Sequence, residues 1–285
     1  EFNLGLDFGV LDGRINGSVD YYNRTTKDAL LNYSVPTPPY FYGEIAANVA
    51  QIKNTGLEFL LNVTPFQTDN FEWTANLTYS TNTNEVVSLS NGEFQLTNDF
   101  FDEGYTGEPI QIETHRIQEG QPIGNFFGLK SVDITEDGIW VIERPDGTLV
   151  PATEATTDDR QVLGNGLPKA YYSWNNTVKY KNWDLMVNLR GALDYQILNF
   201  SRMFYENPTI SYNTLDSAYD MVYGKAVLQD VQRFVSYYVE DGDFLKIDNV
   251  TLGYTLPKDA IKFAQSFRIY ASGLNLATIT GYKGS

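Results

Sequence analysis

His115 is the only histidine in the 285 residues, and cysteine is absent. That removes disulfide staples and thiolate metal sites and leaves one imidazole for acid–base work. No serine and aspartate stand at a spacing that suggests a nucleophilic triad with it, although a triad is set by geometry rather than by chain order. Asp158 and Asp159 are paired carboxylates, a residue type that acid–base chemistry uses. Adjacent loop carboxylates ordinarily face water, so the residues as a set predict a chain that is not an enzyme. Binding has better raw material. Aromatics make up 14% of the chain, with 20 Tyr and 17 Phe. Phe100, Phe101, Tyr105, Trp140, Tyr205, Tyr212 and Tyr219 fall in the two longest stretches with little strand periodicity. Their faces could stack on sugar rings or peptide side chains, with nearby Asp and Asn to bond hydroxyls or amides. The same rings would equally serve to pack loops together.

The elements that must position these residues are strands, because apolar and polar residues alternate with period two. Phe2, Leu4, Leu6, Phe8 and Val10 share one phase, then Ile15, Val19 and Tyr21, then Leu57, Phe59, Leu61 and Val63, then Phe71, Trp73, Ala75, Leu77 and Tyr79. "YYSWNNTVKY", "WDLMVNLRGALDY", "DGDFLKIDNVTLGYTLP" and "SFRIYASGLNL" complete about eight strands. Only "AQSFR" and "TLDSAYDMVYGKAVL" have a helical look. The polar, Pro-rich stretch around "SVPTPPYFYGE" reads as a long connection, as do the segments from about Asn84 to Lys169 and from about Gln196 to Asp243. Connections thus run short, long, short, long, short, long, short. A soluble sandwich has no reason to sort its loops in this way. A transmembrane antiparallel up-and-down β-barrel has, with short periplasmic turns and long extracellular loops. Phe2, Phe71, Trp73 and Trp183 near the short turns, and Tyr21, Tyr22, Tyr79 and Tyr195 near the long loops, would form its two aromatic girdles. The competing reading is a soluble antiparallel sheet with one solvated face, for instance a carbohydrate-binding sandwich. In "DFLKIDNVTLGYTLP" the apolar phase changes between Ile247 and Val250. The expectation is that Val250, Leu252, Tyr254 and Leu256 face lipid while Leu245 and Ile247 lie above the bilayer with the faces exchanged.

Charge excludes some partners. The net charge is −16 and the isoelectric point about 4.4, which argues against nucleic acid, whose binding leans on clustered Lys and Arg. Good solubility is the plain reading of such an acidic chain.

Four motifs, in order, resemble the SusC/RagA family of TonB-linked outer-membrane transporters. "QIKNTGLEF" resembles its N-x-G-x-E strand at Asn54, Gly56 and Glu58. "EGQPIGNFFG" resembles its G-x-P-x-G-x-F-x-G segment at Gly120, Pro122, Gly124, Phe126 and Gly128. "DGDFLKIDNVTLGYTLP" resembles its N-V-T-L-G-Y-x-L-P signature, with Asn249, Gly253, Tyr254 and Pro257. "IYASGLNLATITGYKG" resembles its late strand, with Asn275. The resemblance implies that residues 1–285 are the C-terminal part of a 22-stranded, plugged barrel, with plug domain, TonB box, first strands and barrel end lying outside this chain. It further implies nutrient import of oligosaccharides or oligopeptides across the outer membrane, energised through TonB and lidded by a SusD-like lipoprotein. A scaffold role for the same barrel in a larger envelope assembly is the alternative. Glu58, in the lumen phase, would bond barrel-wall or plug groups.

Members of that family often carry a D-x-N-x-D-G cation loop. The aligned region here, "ERPDGTLVPATEATTDDRQVLGNGLPKAYY", keeps Asp146 and Gly147 but lacks the early carboxylates. "DITEDG" offers Asp133, Thr135, Asp137 and Gly138 without a distal Glu. A calcium loop needs oxygen ligands at alternating positions, so Asp133, Asp137 and Asp146 are candidates for a structural calcium ion, with solvated acidic turns as the alternative. No other cofactor is expected.

Overall fold

The computed structural model describes residues 1–35, 37–39, 41–93, 95–96, 98–257 and 264–284. Eight strands form an open antiparallel meander, each hydrogen-bonded to the next along the chain. They are β1 Phe2–Val10, β2 Ile15–Ser34, β3 Glu44–Gln67, β4 Phe71–Thr81, β5 Ala170–Tyr180, β6 Trp183–Leu193, β7 Phe244–Thr255 and β8 Arg268–Thr280. The connections 11–14, 68–70 and 181–182 are tight, whereas 82–169 and 194–243 are long. This is the wall of an up-and-down barrel. No helix among the described residues is long and apolar enough to cross a membrane.

One face of the wall is polar and the other apolar, as alternation demands. On the polar face one asparagine from each of six consecutive strands falls in direct register: Asn16, Asn62, Asn76, Asn175, Asn188 and Asn249. Their amides hydrogen-bond along the row, Asn62 to Asn16 at 3.0 Å, Asn76 to Asn62 at 2.6 Å and Asn175 to Asn76 at 3.3 Å. Nearer the short turns, Lys179 pairs with Glu72 at 3.2 Å and Arg268 with Asp184. The apolar face leaves Leu4, Leu6, Leu57, Trp174, Leu185 and Leu252 exposed, as a lipid-facing surface requires.

Three expectations are corrected. The stretch after Tyr21 is not a long loop: β2 and β3 stay paired to Ser34 and Glu44, so the hairpin extends some ten residues past the first strand, roughly 30 Å of extended chain. Phe2 pairs with Asn23, at the end of β2 remote from the short turn, and its ring meets Tyr21 at 6.3 Å. It therefore belongs with the long-loop girdle. At the other end Phe66 stacks on Trp73 and Trp183 contacts Tyr254 at 4.8 Å. Finally, the phase change in β7 is a β-bulge at Asp248. Leu189 pairs with Ile247 and Asn188 with Asn249, which leaves Asp248 without an opposite residue. Leu245 and Ile247 therefore remain on the apolar face beside Val250 and Leu252. Asp248 ion-pairs with Arg190.

The two long segments fold together into one body. Strands Phe100–Tyr105, Glu113–Gln118, Asn125–Ile134, Trp140–Glu143 and Leu149–Pro151 form a second sheet, with Arg160–Asn165 also paired to Asn125–Ile134. Phe126, Trp140 and Ile142 from the first segment and Met203, Phe234, Val235 and Tyr238 from the second share one hydrophobic core. "TLDSAYDMVYGKAVL" holds a 3-10 turn, Asp216–Tyr219, and a short hairpin, not a long helix, and "AQSFR" is not helical. The short α-helix is Phe200–Tyr205. The body rests on the long hairpin through Val86 and Leu89 against Ala29, Leu31 and Ala50.

Candidate functional site

The segments 54–58 and 120–128 meet residues 82–84 where the wall joins the body, while the motifs of Asn249–Pro257 and Asn275 run along the last two strands of the wall. Gly56 lies directly opposite Tyr22. A Cβ there would come 2.5 Å from the Tyr22 hydroxyl and 2.0 Å from the Thr81 carbonyl oxygen. Without that carbon, Tyr22 crosses β3 and donates to Thr81 O at 3.2 Å and to Asn82 Oδ1 at 3.0 Å. Asn82 in turn donates to Asn54 at 3.4 Å. Two further straps follow the same plan. Tyr172 passes over Gly191 to reach the Phe244 carbonyl at 3.2 Å. Arg268 passes over Gly253 to reach Asp184 at 2.9 Å. Asn54, Gly56 and Gly253 are thus wall-locking residues. Asn249 belongs to the asparagine row and also accepts from Thr251 at 3.1 Å. Tyr254 is in the short-turn girdle, Pro257 follows the end of β7, and Asn275 takes the left-handed φ of 53° opposite the bulge, a conformation Asn tolerates. Glu58 stands on the polar face opposite Asp20.

The G-x-P-x-G-x-F-x-G segment is the hinge between wall and body. Gly120 and Gly124 have φ of +75° and +89°. Ile123 donates to Asn84 at 2.6 Å, and Asn165 donates to Ile123 O and to Asn125 at 2.9 and 2.8 Å. Phe126 is buried against His115 at 4.7 Å, and the absent side chain of Gly128 admits the Phe234 ring. Two cavities flank this segment and share Leu167. One, of about 290 Å³, lies between Asn82–Glu85 on the wall side and Pro122 and Asn165 on the body side. The other, about 390 Å³, is lined by His115, Phe126, Leu198 and Phe200. Burial pushes the His115 imidazole below its ordinary value, and its Nδ1 lies 2.8 Å from the Thr114 hydroxyl.

The candidate aromatics separate into groups. Trp140 is fully buried (0%) and packs on Tyr223, Tyr237 and Tyr238. That corrects its reading as a ligand platform, because a core ring has no free face. Phe100 is covered by the Arg116 guanidinium, 3.6 Å above its ring, and Phe101 packs beneath the hairpin. Tyr105 and Tyr219 are exposed singly, while Tyr205 and Tyr212 form an exposed edge-to-face pair at 5.9 Å. Arg116 itself is held between Phe100 and Phe127 and bonded twice to Asp102, which also meets Arg160 at 3.4 Å.

The acidic turns are hairpin turns. Lys225 and the Ile134 N–H hold Asp133 below the usual carboxylate range. The Thr148 hydroxyl and N–H do the same for Asp146. Asp137 precedes Gly138, whose φ is +80°, and is exposed. Asp159 is buried and capped by Thr156, with Arg144 at 3.1 Å, while Asp158 faces solvent. Among the described residues no three His, Asp or Glu side chains gather to hold a metal.

The asparagine row, the two tyrosine straps and the buried Arg202 cluster were missed in the sequence. Arg202 bonds Glu240 and Glu206. Its burial opposes the charge, but those partners hold it above its ordinary value. One asparagine per strand in the polar phase was the available signal for the row. The straps and the cluster join residues far apart in the chain and leave no local trace.

No family model matches the chain. TonB-dependent receptor P3 of Formosa agariphila is 28% identical over 313 residues, covering 100% of this chain and 30% of that protein. TonB-dependent receptor SusC of Bacteroides thetaiotaomicron is 27% identical, covering 99% of this chain and 29% of that protein. The structure of the RagAB peptide importer in its closed-closed state matches with a TM-score of 0.83 at 23% identity, over 99% of this chain and 32% of that one. The chain spans about 30% of the length of the relatives it matches. Those relatives are receptors, not enzymes. The four motifs, the meander and these likenesses agree: the chain is SusC/RagA-like, similar over its whole length to about 30% of a TonB-dependent receptor, with a wall of antiparallel strands and a body built from its two long connections.

Proposed function

We propose that the protein acts in outer-membrane nutrient import, taking up oligosaccharides or oligopeptides with energy delivered through TonB and with a SusD-like lipoprotein over the barrel mouth. The likeness of the whole chain to TonB-dependent receptors carries this reading. The architecture is compatible with it. A wall with an exposed apolar face belongs in a bilayer, since open loops and unpaired edges do not face lipid, and the folded body stands at the long-connection end, where cargo would arrive. Tyr205 and Tyr212, exposed and adjacent, and the two cavities beside Leu167 are its candidate contact points.

The test is purification of the full-length protein from outer membranes in mild detergent, with mass spectrometry of what stays bound. Import predicts a SusD-like lipoprotein as the main partner and retained oligomers as cargo. Other envelope proteins in stoichiometric amount, with neither lid nor oligomer, would replace import with a scaffold role.

A further inference from the structure

The apolar side of the wall is not flat. Ala75 of β4 lies at the floor of a groove of about 400 Å³, between Trp73 and Leu77 of its own strand, with Leu61 on β3 and Trp174 on β5 as the other rims. That volume lies within the range of built ligand sites, and every lining residue is apolar. Near the short turns β3 bulges. Val63 stands opposite Ala75 but Phe66 opposite Trp73, so Thr64 and Pro65 share one position of β4. Such a bulge bends its strand, and Pro65 lines the opening it leaves. Both tryptophan walls stand on β4 and β5, and Trp73 is fixed twice. Phe66 stacks on it at 6.2 Å, and its Nε1 donates to Asn176 Oδ1 at 3.3 Å.

Asn176 is the polar exception on this surface. It takes the outward phase of β5, and its cross-strand row reads Val63, Ala75, Asn176, Val187, Val250. An indole N–H can only donate, so the atom that meets Trp73 is the amide oxygen and the NH2 is turned away. Among the described residues that NH2 has no acceptor. Two unspent donors facing hydrocarbon are costly until an acceptor arrives. The row lies two residues inward from Trp73, roughly 5 Å along the barrel axis on a tilted strand. Girdle rings sit at the level of the lipid headgroups. The first acceptors that a lipid offers just below them are the ester carbonyl oxygens of its acyl chains.

We propose that this groove is a phospholipid site: one acyl chain of a glycerophospholipid lies over Ala75 between the two tryptophans, and its ester carbonyl oxygen accepts from Asn176 Nδ2. The groove is continuous with the exposed apolar face of the wall, so the bilayer that covers that face covers the groove as well. An aliphatic chain suits a lining with no polar residue. A protein segment would bring a backbone donor or acceptor at every residue, and the groove offers one amide to meet them. The site is independent of any cargo and rests on the reading that the wall stands in a bilayer.

The experiment reconstitutes the full-length protein into vesicles of phosphatidylethanolamine with equal parts of diester phosphatidylglycerol and its diether analogue of the same chain length. The protein is then extracted in mild detergent and weighed by native mass spectrometry as detergent is raised. The last phospholipid to leave the parent is expected to be the diester over the diether by about fivefold, the worth of one neutral hydrogen bond. Ala75→Phe, which fills the groove with an apolar ring, should lack that last lipid. Asn176→Leu should bring the diester-to-diether ratio to about one. Both variants should keep the gel shift of the folded barrel, and the diester preference of the parent needs no variant at all. Equal retention of the two lipids by the parent, or unchanged retention in Ala75→Phe, would overturn the proposal. So would loss of a second copy of the chain, rather than of a lipid, in Ala75→Phe. A parent that inserts into vesicles but retains no lipid would overturn the site and leave the bilayer reading standing, whereas a parent that does not insert would overturn both.

Discussion

Glycine at a strand position ordinarily costs stability, because it adds backbone entropy and packs nothing. Here three glycines repay that by letting a side chain cross to the third strand. The contacts differ in how they would yield. At Gly56 a Cβ would meet the Thr81 carbonyl, which is backbone, as well as the Tyr22 hydroxyl; at Gly253 it would meet only the far end of Arg268. Gly56→Ala is therefore expected to cost about 1–3 kcal/mol through overpacking, and Gly253→Ala less, since the arginine swings aside and loses only its pairing with Asp184. Thermal unfolding in detergent, followed by the shift of the folded barrel on unheated gels, ranks the two. Equal losses would mean that the straps do not decide the cost. His115 gives a second expectation at this scale. Its folded pKa lies below the ordinary value near 6.5, so on acidification the unfolded chain takes up a proton before the folded one does. Stability of the body should fall as pH drops below about 6.5 and level off below the folded pKa. Denaturation curves of wild type and His115→Asn between pH 7.5 and 5 should diverge in slope, the variant losing the pH dependence in that window. Parallel curves would show that the imidazole is not what titrates.

Among the elements, what was legible in the sequence was what repeats. Period-two alternation marked all eight wall strands, and the sorting of short and long connections marked the barrel. What was not legible lay where a local rule met a distant partner. The polar run in β2 lacks a clean apolar phase because the body covers part of the hairpin with Val86 and Leu89, so it read as loop. The body's own strands are short, and their core is shared between segments that are remote in sequence, so neither shows the pattern alone. Trp140 looked like a loop aromatic for that reason. The bulge in β7 was visible as a phase change, but alternation alone cannot tell a bulge from an exchange of faces. Deleting Asp248 separates the two. With the residue gone, Asn249 follows directly on Ile247 in plain alternation and Ile247 stays opposite Leu189, so Leu245 and Ile247 keep the apolar face; had the two halves exchanged faces, the same deletion would turn them over, since a slip of one residue reverses every side chain. Folded barrel should therefore still reach the outer membrane, as it should with Asp248→Gly, which keeps the extra residue and loses the contacts with Arg190 and Lys246. Loss of assembly in the deletion alone would show that the two halves of the strand exchange faces.

For the molecule as a whole, wall and body follow different solvents. The wall has an asparagine row and balanced charge on one side and exposed Leu, Val and aromatic residues on the other, with little core of its own; most of the buried apolar residues are in the body or at its seam with the hairpin. In water such a wall would leave a broad apolar surface uncovered, which soluble proteins avoid. In a bilayer the same surface is satisfied, and the body keeps an ordinary core in water. The two faces of β2 and β3 make this testable in one experiment. Leu61 on the apolar face pairs with Gly17 and Leu77, while Ser18, one residue on from Gly17, points to the polar face. Leu61→Lys is expected to cost about 2–4 kcal/mol, as a charge facing the middle of a bilayer does, and Ser18→Lys close to nothing. Reversible folding of the full-length barrel into lipid vesicles, compared with its stability in detergent micelles, reads the difference. The penalty at residue 61 should be larger in vesicles, where thickness is fixed, than in micelles that can deform around the ammonium. If both lysines cost the same, or if the Leu61 variant is unaffected by lipid, the apolar face is covered by protein and the wall belongs to a different assembly.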